Sequence, residues 1–410
     1  MDKKTNNWQI KKLGEVCKTT SGGTPSRKNK NYYSGTIPWV KSGELDRGII
    51  FDTEEKITEE AIKNSSAKIF PKGTLLIALY GATIGKLAFL GVDATTNQAV
   101  CGIYENENII SKYLYYFLLF NKPKLVQQGV GGAQPNISQT ILKDLDLPIP
   151  PLETQHAIVS KIEELFSELD KGIAELKTAQ QQLKTYRQSV LKSAFEGKLT
   201  NENVKHGELP DGWKSKSLKD LVLKVEKVKR KEVDENEGLI YLDIGGINNN
   251  SNRIENYKKY FWKDAPSRAQ QIVKQNDILF STVRTYMKNI AIVDKEIYNN
   301  QIASSGFTVL RADSCVNYKY IYYNTISDVF LNPLNELQTG TSYPAVRDSD
   351  VLSQTINLPL SPEEQHRIVQ EIESRLSVAD KMEQSIQESL QKAEALRQSI
   401  LKKAFCGELV

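Results

Sequence analysis

The chain has 410 residues, long enough for two or three domains with cores of their own. Its 40% hydrophobic and 25% charged residues are ordinary for a soluble globular protein, so composition names no function and pattern has to supply the class. The net charge of +4 is concentrated in residues 1–151, with 19 Lys+Arg against 14 Asp+Glu, an excess compatible with phosphate contacts, although so mild an excess is more often just a solvated surface.

In chain order, the N-terminus MDKKTNNWQI lacks the apolar core of a signal peptide. The run NWQIKKLGEV (7–16) opens a globular segment, and a basic, aromatic stretch, SGGTPSRKNKNYYSGTIPWVKSGEL (21–45), follows it. The most apolar stretch, Leu75 to Val92, is broken by Gly81, Gly85 and Lys86, which predicts two short strands and a turn and not a membrane span. An Asn-Gln pair in TNQAVCGIY (96–104), the run YLYY (113–116) and the loop Gly129-Val130-Gly131-Gly132 lead to LPIPPLETQH (147–156). There the prolines end a strand and open a helix, with Thr154 as a candidate cap. The cysteines Cys17, Cys101, Cys315 and Cys406 are scattered, with no CxxC pair and no zinc spacing. A reduced cytoplasm suits them, and the expected protein is soluble and intracellular.

From Gln155-His156 the chain repeats at Gln365-His366 with a constant offset of 210 residues and no gap for 45 positions. The ends match best: RQSVLKSAFEGKL (187–199) becomes RQSILKKAFCGEL (397–409). Both copies have helical periodicity. In the first, Ile162, Leu169, Leu176, Leu183 and Val190 recur every seven residues, interleaved with Ile158, Leu165, Gly172, Ala179 and Tyr186. In the second the sets are Ile372, Ala379, Ile386, Ala393, Ile400 and Ile368, Arg375, Met382, Ser389, Leu396. These are coiled-coil seams. Helices of about 45 residues, roughly 65 Å long, would pair antiparallel within the chain; the alternative is that each binds another subunit. The second helix starts in LPLSPEEQH (358–366), with Ser361 as its candidate cap.

The globular segments repeat more weakly: GWKSKSLKDLV (212–222) answers the first run, QNDILFS (275–281) answers KGTLLIA (72–78), and NNQIASSGFTVL (299–310) carries the second Asn-Gln pair. YIYY (320–323) answers YLYY, and GTSYPAVR (340–347) answers GGAQPNIS (131–138). The chain is therefore divided into 1–151, 152–200, 201–360 and 361–410, globule, helix, globule, helix, an α+β protein with two similar α/β domains.

With this two-copy arrangement, the 21–45 stretch, the Asn-Gln pairs and the PPLETQ and AFEGKL motifs, the sequence resembles the specificity subunits of type I restriction-modification systems over essentially its whole length. The resemblance implies two target recognition domains, 1–151 and 201–360, each reading one half of a split double-stranded DNA target. It implies spacer helices, packed as an antiparallel coiled coil with pseudo-twofold symmetry, that dock two methyltransferase subunits, with restriction subunits joining that core. Methylation would fall on adenine N6, with S-adenosylmethionine on the partner and no cofactor in this chain. Readers held by such a coil would reach half-sites about a helical turn, roughly 34 Å, apart. The second globule has VEKVKRKEVDENEGLIYLDIGGIN (225–248) in place of the GGTPSRKN stretch, so the expected target is asymmetric.

Three groups of residues are candidates for DNA contact, since Lys and Arg neutralise phosphates while Arg, Gln and Asn read base edges. The first is Arg27, Lys28, Lys30, Tyr32, Tyr33 and Lys41, with Lys227, Lys229, Arg230 and Lys231 in the second globule. The second is the turns after the central strands: Tyr80, Thr83 and Lys86, and Arg284, Tyr286 and Lys288. The third is Gln134, Asn136 and Ser138, with Tyr343 and Arg347 as counterparts. Bland readings stand beside these: solvated loops for the first group, hairpin turns for the second.

An enzymatic reading finds little. The only Pro-Pro is in IPPLE (149–153) and not in an amine-methyltransferase motif, GATIGK (81–86) is not a P-loop, and Asp170, Glu175 and Lys177 spell a nuclease pattern only on a charged helix face. His156 and His366 are repeat-related and sit at the helix starts, and His206 stands alone; structure or docking suits the pair better than general-base chemistry. A rival of another class is a coiled-coil assembly adaptor whose globules bind proteins.

Overall fold

In the computed structural model, which describes residues 8–129, 136–201, 204–205 and 207–410, the contacts divide the chain into two compact units. One comprises the residues up to Leu176 with Glu388–Val410, the other Lys177–Gln387. The division falls within the long helices, so each unit holds one globule, most of one helix start and the end of the other helix.

In the first unit β1 (Gln9–Lys12) leads through the short α1 (Leu13–Val16) to β2 (Thr19–Ser21), β3 (Ile37–Val40), β4 (Gly48–Ile50) and β5 (Lys56–Ile57). After α2 (Glu59–Lys63), capped by the Thr58 hydroxyl, come β6 (Ile69–Phe70), β7 (Leu75–Ala78), β8 (Leu87–Leu90), β9 (Ala94–Thr96) and β10 (Val100–Ile103). The unit continues with α3 (Ser111–Gln127), α4 (Gln139–Lys143), β11 (Asp146–Ile149) and α5 (Leu152–Phe195). Two sheets form, ordered β2-β10-β7-β8-β4 and β5-β3-β9-β6, and β1 pairs with β11. All four residues of β7 are buried, as a central strand covered on both faces requires. The predicted pair of strands in the Leu75–Val92 stretch is present: β7 and β8 run antiparallel, Leu76 opposite Ala88.

The second unit repeats this order with β12 (Trp213–Ser217), β13 (Val222–Leu223), β14 (Gly238–Leu242), β15 (Ile247–Asn248), β16 (Arg253–Ile254) and β17 (Lys258–Phe261). It goes on with β18 (Ala269–Ile272), β19 (Ile278–Ser281), β20 (Ile290–Ile292), β21 (Ile302–Ser304) and β22 (Phe307–Ala312). The helices α6 (Tyr318–Thr325), α7 (Asp328–Glu336) and α8 (Asp348–Leu352), the strand β23 (Thr355–Pro359) and α9 (Pro362–Phe405) complete it. Its sheets run β13-β22-β19-β20 and β17-β14-β21-β18, with β12 on β23. One parallel pair recurs at the same place, β3 with β9 and β14 with β21. The units differ in β4, which extends only the first sheet, and in the β15–β16 hairpin of the second.

The helices pack antiparallel inside each unit. Ile158, Ile162 and Phe166 from the start of α5 share a core with Ile400, Leu401 and Phe405 from the end of α9. Ile368, Val369 and Ile372 do the same with Leu191, Ala194 and Phe195. An ion pair is also written twice: Arg397 meets Asp170, and Arg187 meets Asp380 at 2.6 Å and Glu383 at 2.8 Å. The residues exchange under the 210-residue repeat.

The seam differs in one row from the sequence reading. The every-seventh residues Ile162, Val190, Ile372, Ala379, Ile386, Ala393 and Ile400 are buried, and so are Ile158 and Ile368 of the interleaved row at the helix starts, but further along that row Tyr186, Arg375, Met382 and Leu396 are exposed. The second row lies four residues after the first, not three, and contains Phe166, Ile173, Leu376 and Leu390 together with Arg187 and Arg397. A seven-residue repeat admits either neighbour, and apolarity pointed to the wrong one because the arginines lie along the seam with their charged ends paired. Thr154 lies inside α5 and does not cap it, whereas the Ser361 hydroxyl accepts the Glu364 N–H at 3.2 Å and caps α9.

Each globule is fastened to its helix by a buried glutamine. The Gln155 Oε1 accepts the Ile110 N–H at 2.9 Å, and its Nε2 donates to the carbonyls of Asn108 and Pro150, both at 2.9 Å. Gln365 does the same with the Asn317 N–H at 2.8 Å and the carbonyls of Cys315 and Pro359 at 3.2 and 3.0 Å. Tyr113 and Tyr320 add hydroxyl bonds to the Pro148 and Asn357 carbonyls, and Lys112–Glu163 and Lys319–Glu373 pair at 2.7 Å in both units.

Candidate nucleic-acid interface

The turn that follows the central strand shares two closing hydrogen bonds between the units. The Ala78 N–H donates to the Lys86 carbonyl and the Ser281 N–H to the Asn289 carbonyl, while Ile84 and Met287 donate back to Gly81 and Arg284. This register sets Gly81 (φ 62°) opposite Arg284 (φ 50°) and Gly85 (φ 75°) opposite Lys288 (φ 54°). A conformation that glycine adopts freely in the first unit is therefore imposed on two cations in the second.

In both units this turn lies against the loop before the short helix. Tyr80 forms a bridge with Asn136, and Val283 with Ala345. The second and third candidate groups thus come together in each globule. In the second unit the Arg284 N–H donates to the Pro344 carbonyl at 2.7 Å, and Thr285, 2% exposed, is tied to Asn335 at 2.6 Å and Gln338 at 2.7 Å. The Arg284 guanidinium stacks 4.8 Å from the Tyr343 ring and donates to the Ser342 carbonyl at 2.9 Å. Tyr286 and Tyr343 project into solvent, as does Arg347 before α8. In the first unit Tyr80 is exposed, the Thr83 hydroxyl donates to its carbonyl at 2.7 Å, and Lys86 pairs with Asp46 at 2.9 Å. Gln134 and most of its glycine-rich loop lie outside the described residues, as does His206.

The basic loops are less uniform than their sequence. Arg27 lies over the rings of Tyr33 and Trp39, at 4.1 and 4.9 Å, and pairs with Glu55 through both terminal nitrogens. Lys41 pairs with Glu54 and Glu55 at 2.8 and 3.2 Å. Arg27 first, and then Lys41, hold the Glu55 carboxyl below its usual pKa. These two cations are built into the loop's own frame, and Tyr32 is half-buried against Trp39 and Ile57. In the second unit Lys229 pairs with Glu232 at 3.1 Å, Lys288 with Asp328 at 2.7 Å, and Arg230 donates to the Ala265 and Pro266 carbonyls. Lys28, Lys30, Lys227 and Lys231 are exposed with no ion-pair partner among the described residues, which leaves them open to phosphate.

Sequence reasoning missed the paired glutamines and the left-handed cations. The first had a signal, the repeated Gln155 and Gln365; the second shows only when the two turns are aligned. The Asn-Gln pairs hold the frame: Gln98 accepts from the Thr24 hydroxyl, and the Gln301 Oε1 accepts the Ile240 N–H at 2.8 Å. Asp170 is engaged by Arg397 on the helix face, and His156 and His366 are exposed at the helix starts. Among the described residues no group of His, Cys, Asp and Glu is placed to hold a metal ion, and no helix is long and apolar enough to cross a membrane.

The chain is 26% identical to the MjaIX specificity subunit of Methanocaldococcus jannaschii, over 98% of this chain and 94% of that one. Its fold is similar to a chain in a solved structure concerned with complex assembly and conformational transition of a type I restriction-modification system, with a TM-score of 0.74, 19% identity and 98% of each chain covered. It is also similar to the HsdS subunit from Thermoanaerobacter tengcongensis, with a TM-score of 0.56, 20% identity, and 98% and 97% covered. Two matches to the type I restriction modification DNA specificity domain, over residues 5–178 and 210–392, take in both globules and most of both helices. The chain belongs to that family, as a specificity subunit of a type I restriction-modification system.

Proposed function

We propose that this chain recognises a bipartite, asymmetric double-stranded DNA target within a cytoplasmic adenine-N6 methyltransferase and restriction complex, and does no chemistry itself. Two methyltransferase subunits dock on the repeated helices, restriction subunits join them, and S-adenosylmethionine is held by the methyltransferase. The observation that carries the reading is the turn at 78–86 and 281–289: one backbone frame, made twice, presents different side chains. A common frame with unlike tips is what two unlike half-sites require. The repeated helices, most alike at their starts and ends, in turn suit two copies of one partner.

The test is to map methylated adenines in a host with and without this chain, co-expressed with its methyltransferase subunits. The expected result is a motif of two unlike half-sites around a fixed spacer. Exchanging residues 201–357 for the corresponding segment of another reader should alter one half-site alone. Binding insensitive to salt, with no duplex preferred, would instead mark a protein-binding adaptor. Methylation or cleavage by the purified chain alone would mark an enzyme.

A further inference from the structure

Among the described residues, those other than glycine with positive φ are Asn252, Asn276, Arg284, Lys288 and Asn300. Asparagine tolerates this region because its short side chain bonds locally; arginine and lysine have no such device. Lys288 is explained by its surroundings, since its Nζ reaches Asp328 at 2.7 Å and the Ile326 carbonyl at 3.3 Å. Arg284 is not. Its Nη2 bonds the Ser342 carbonyl, its face rests on a Tyr343 ring that is 72% exposed, and no carboxylate meets it among the described residues.

Backbone strain at an exposed turn persists only where the surroundings impose it, and it concentrates at ligand sites. Here the imposing contacts are the Arg284 N–H on the Pro344 carbonyl and the Val346 N–H on the Thr282 carbonyl, at 2.7 and 3.0 Å. They hold the Arg284 backbone in this conformation, and the stack on Tyr343 with the bond to the Ser342 carbonyl orients its guanidinium, whose fork has five N–H donors, of which Ser342 takes one. A point charge for a phosphate needs no fixed plane, and exposed lysines such as Lys227 and Lys231 suit that purpose. A fixed planar fork suits two acceptors side by side in one plane, and on the major-groove edge of duplex DNA that pair is the N7 and O6 of guanine.

We infer that Arg284 is a specificity-determining residue that reads the guanine of a G·C pair in the half-site bound by the second unit. This rests on the DNA-reading function proposed above. The experiment is adenine-methylation mapping in cells carrying the complex with the wild-type chain, R284K, R284Q or R284G. The wild-type motif is expected to contain a G·C pair at which R284K and R284G lose discrimination by about tenfold or more, while R284Q shifts preference toward adenine. The other half-site stays unchanged. Because Gly81 holds the same turn in the first unit, R284G is expected to keep the wild-type melting profile; should it not, R284K carries the readout, since it keeps the charge and loses the fork. Methylation lowered evenly with an unchanged motif would make Arg284 a phosphate contact and overturn the inference. An unchanged motif at unchanged level, or a half-site without a G·C pair, overturns it as well. A wild-type complex that yields no bipartite motif would instead sink the underlying function.

Discussion

Replacing Gln155 by methionine keeps the side-chain volume and removes three hydrogen bonds, to the Ile110 N–H and the Asn108 and Pro150 carbonyls. Gln155 is fully buried, so water cannot take over without opening the junction between α3 and α5. At about 1 kcal/mol net per bond, and more where a buried group is left unpaired, the loss comes to about 3 kcal/mol. For a unit of roughly 200 residues, each kcal/mol moves the melting temperature by about 2–4 °C, so Q155M should melt roughly 6–12 °C lower. Calorimetry on the whole chain reads this directly, with the exposed Gln182→Met as a control expected to move by less than about 2 °C. Hydrogen exchange should quicken at the Ile110 amide in particular. A Q155M chain melting within a degree of wild type, with Ile110 still protected, would refute the reasoning.

Further expectations follow from other contacts. Removing residues 174–180 and 384–390 together keeps the seven-residue phase and shortens each helix by about 10 Å, so methylation mapping should give a spacer about three base pairs shorter with both half-sites intact. A change in the half-sites instead would refute the helices as a ruler. Cys315 and Cys406 are exposed, whereas burial pushes the thiols of Cys17 and Cys101 up to about 11 and about 12, so two of the four thiols should react with an aromatic disulfide reagent at pH 8 and the others only on unfolding. A double-mutant cycle on Arg397 and Asp170, whose carboxylate is 60% exposed, should give a coupling below about 1 kcal/mol that falls with salt; a larger, salt-independent value would mean the pair is shielded from water.

The repeat, the helices and the strand pair around Gly81 were legible because each is a local pattern, a period or a punctuation that neighbouring residues carry among themselves. The fate of the cations was not. Arg27, Lys41 and Lys86 stand in the sequence as candidates for DNA contact, yet acids distant along the chain, Glu55, Glu54 and Asp46, pair with them in the fold. Nothing in the spacing of a basic loop tells which acid will arrive from another strand. The second row of the helix seam was misplaced for a related reason: Arg187 and Arg397 occupy a half-buried row that periodicity assigns to apolar residues, and their partners lie on the other helix. The candidate site was legible as loops, while the meeting of turn 282–288 with Tyr343 is a tertiary event.

The buried glutamines have a consequence for how such a chain can change over generations. The side-chain bonds of Gln155 and Gln365 end on main-chain nitrogen or oxygen, so the residues they address are free to differ, and two of the three do: Asn108 and Ile110 in one unit stand where Cys315 and Asn317 stand in the other, while Pro150 and Pro359 agree. A fastening blind to side-chain identity places no selection on the residues it holds. Mutation can then explore the reading loops, trading Gly81 for an arginine or the reverse, while the joint beneath them is inherited unaltered.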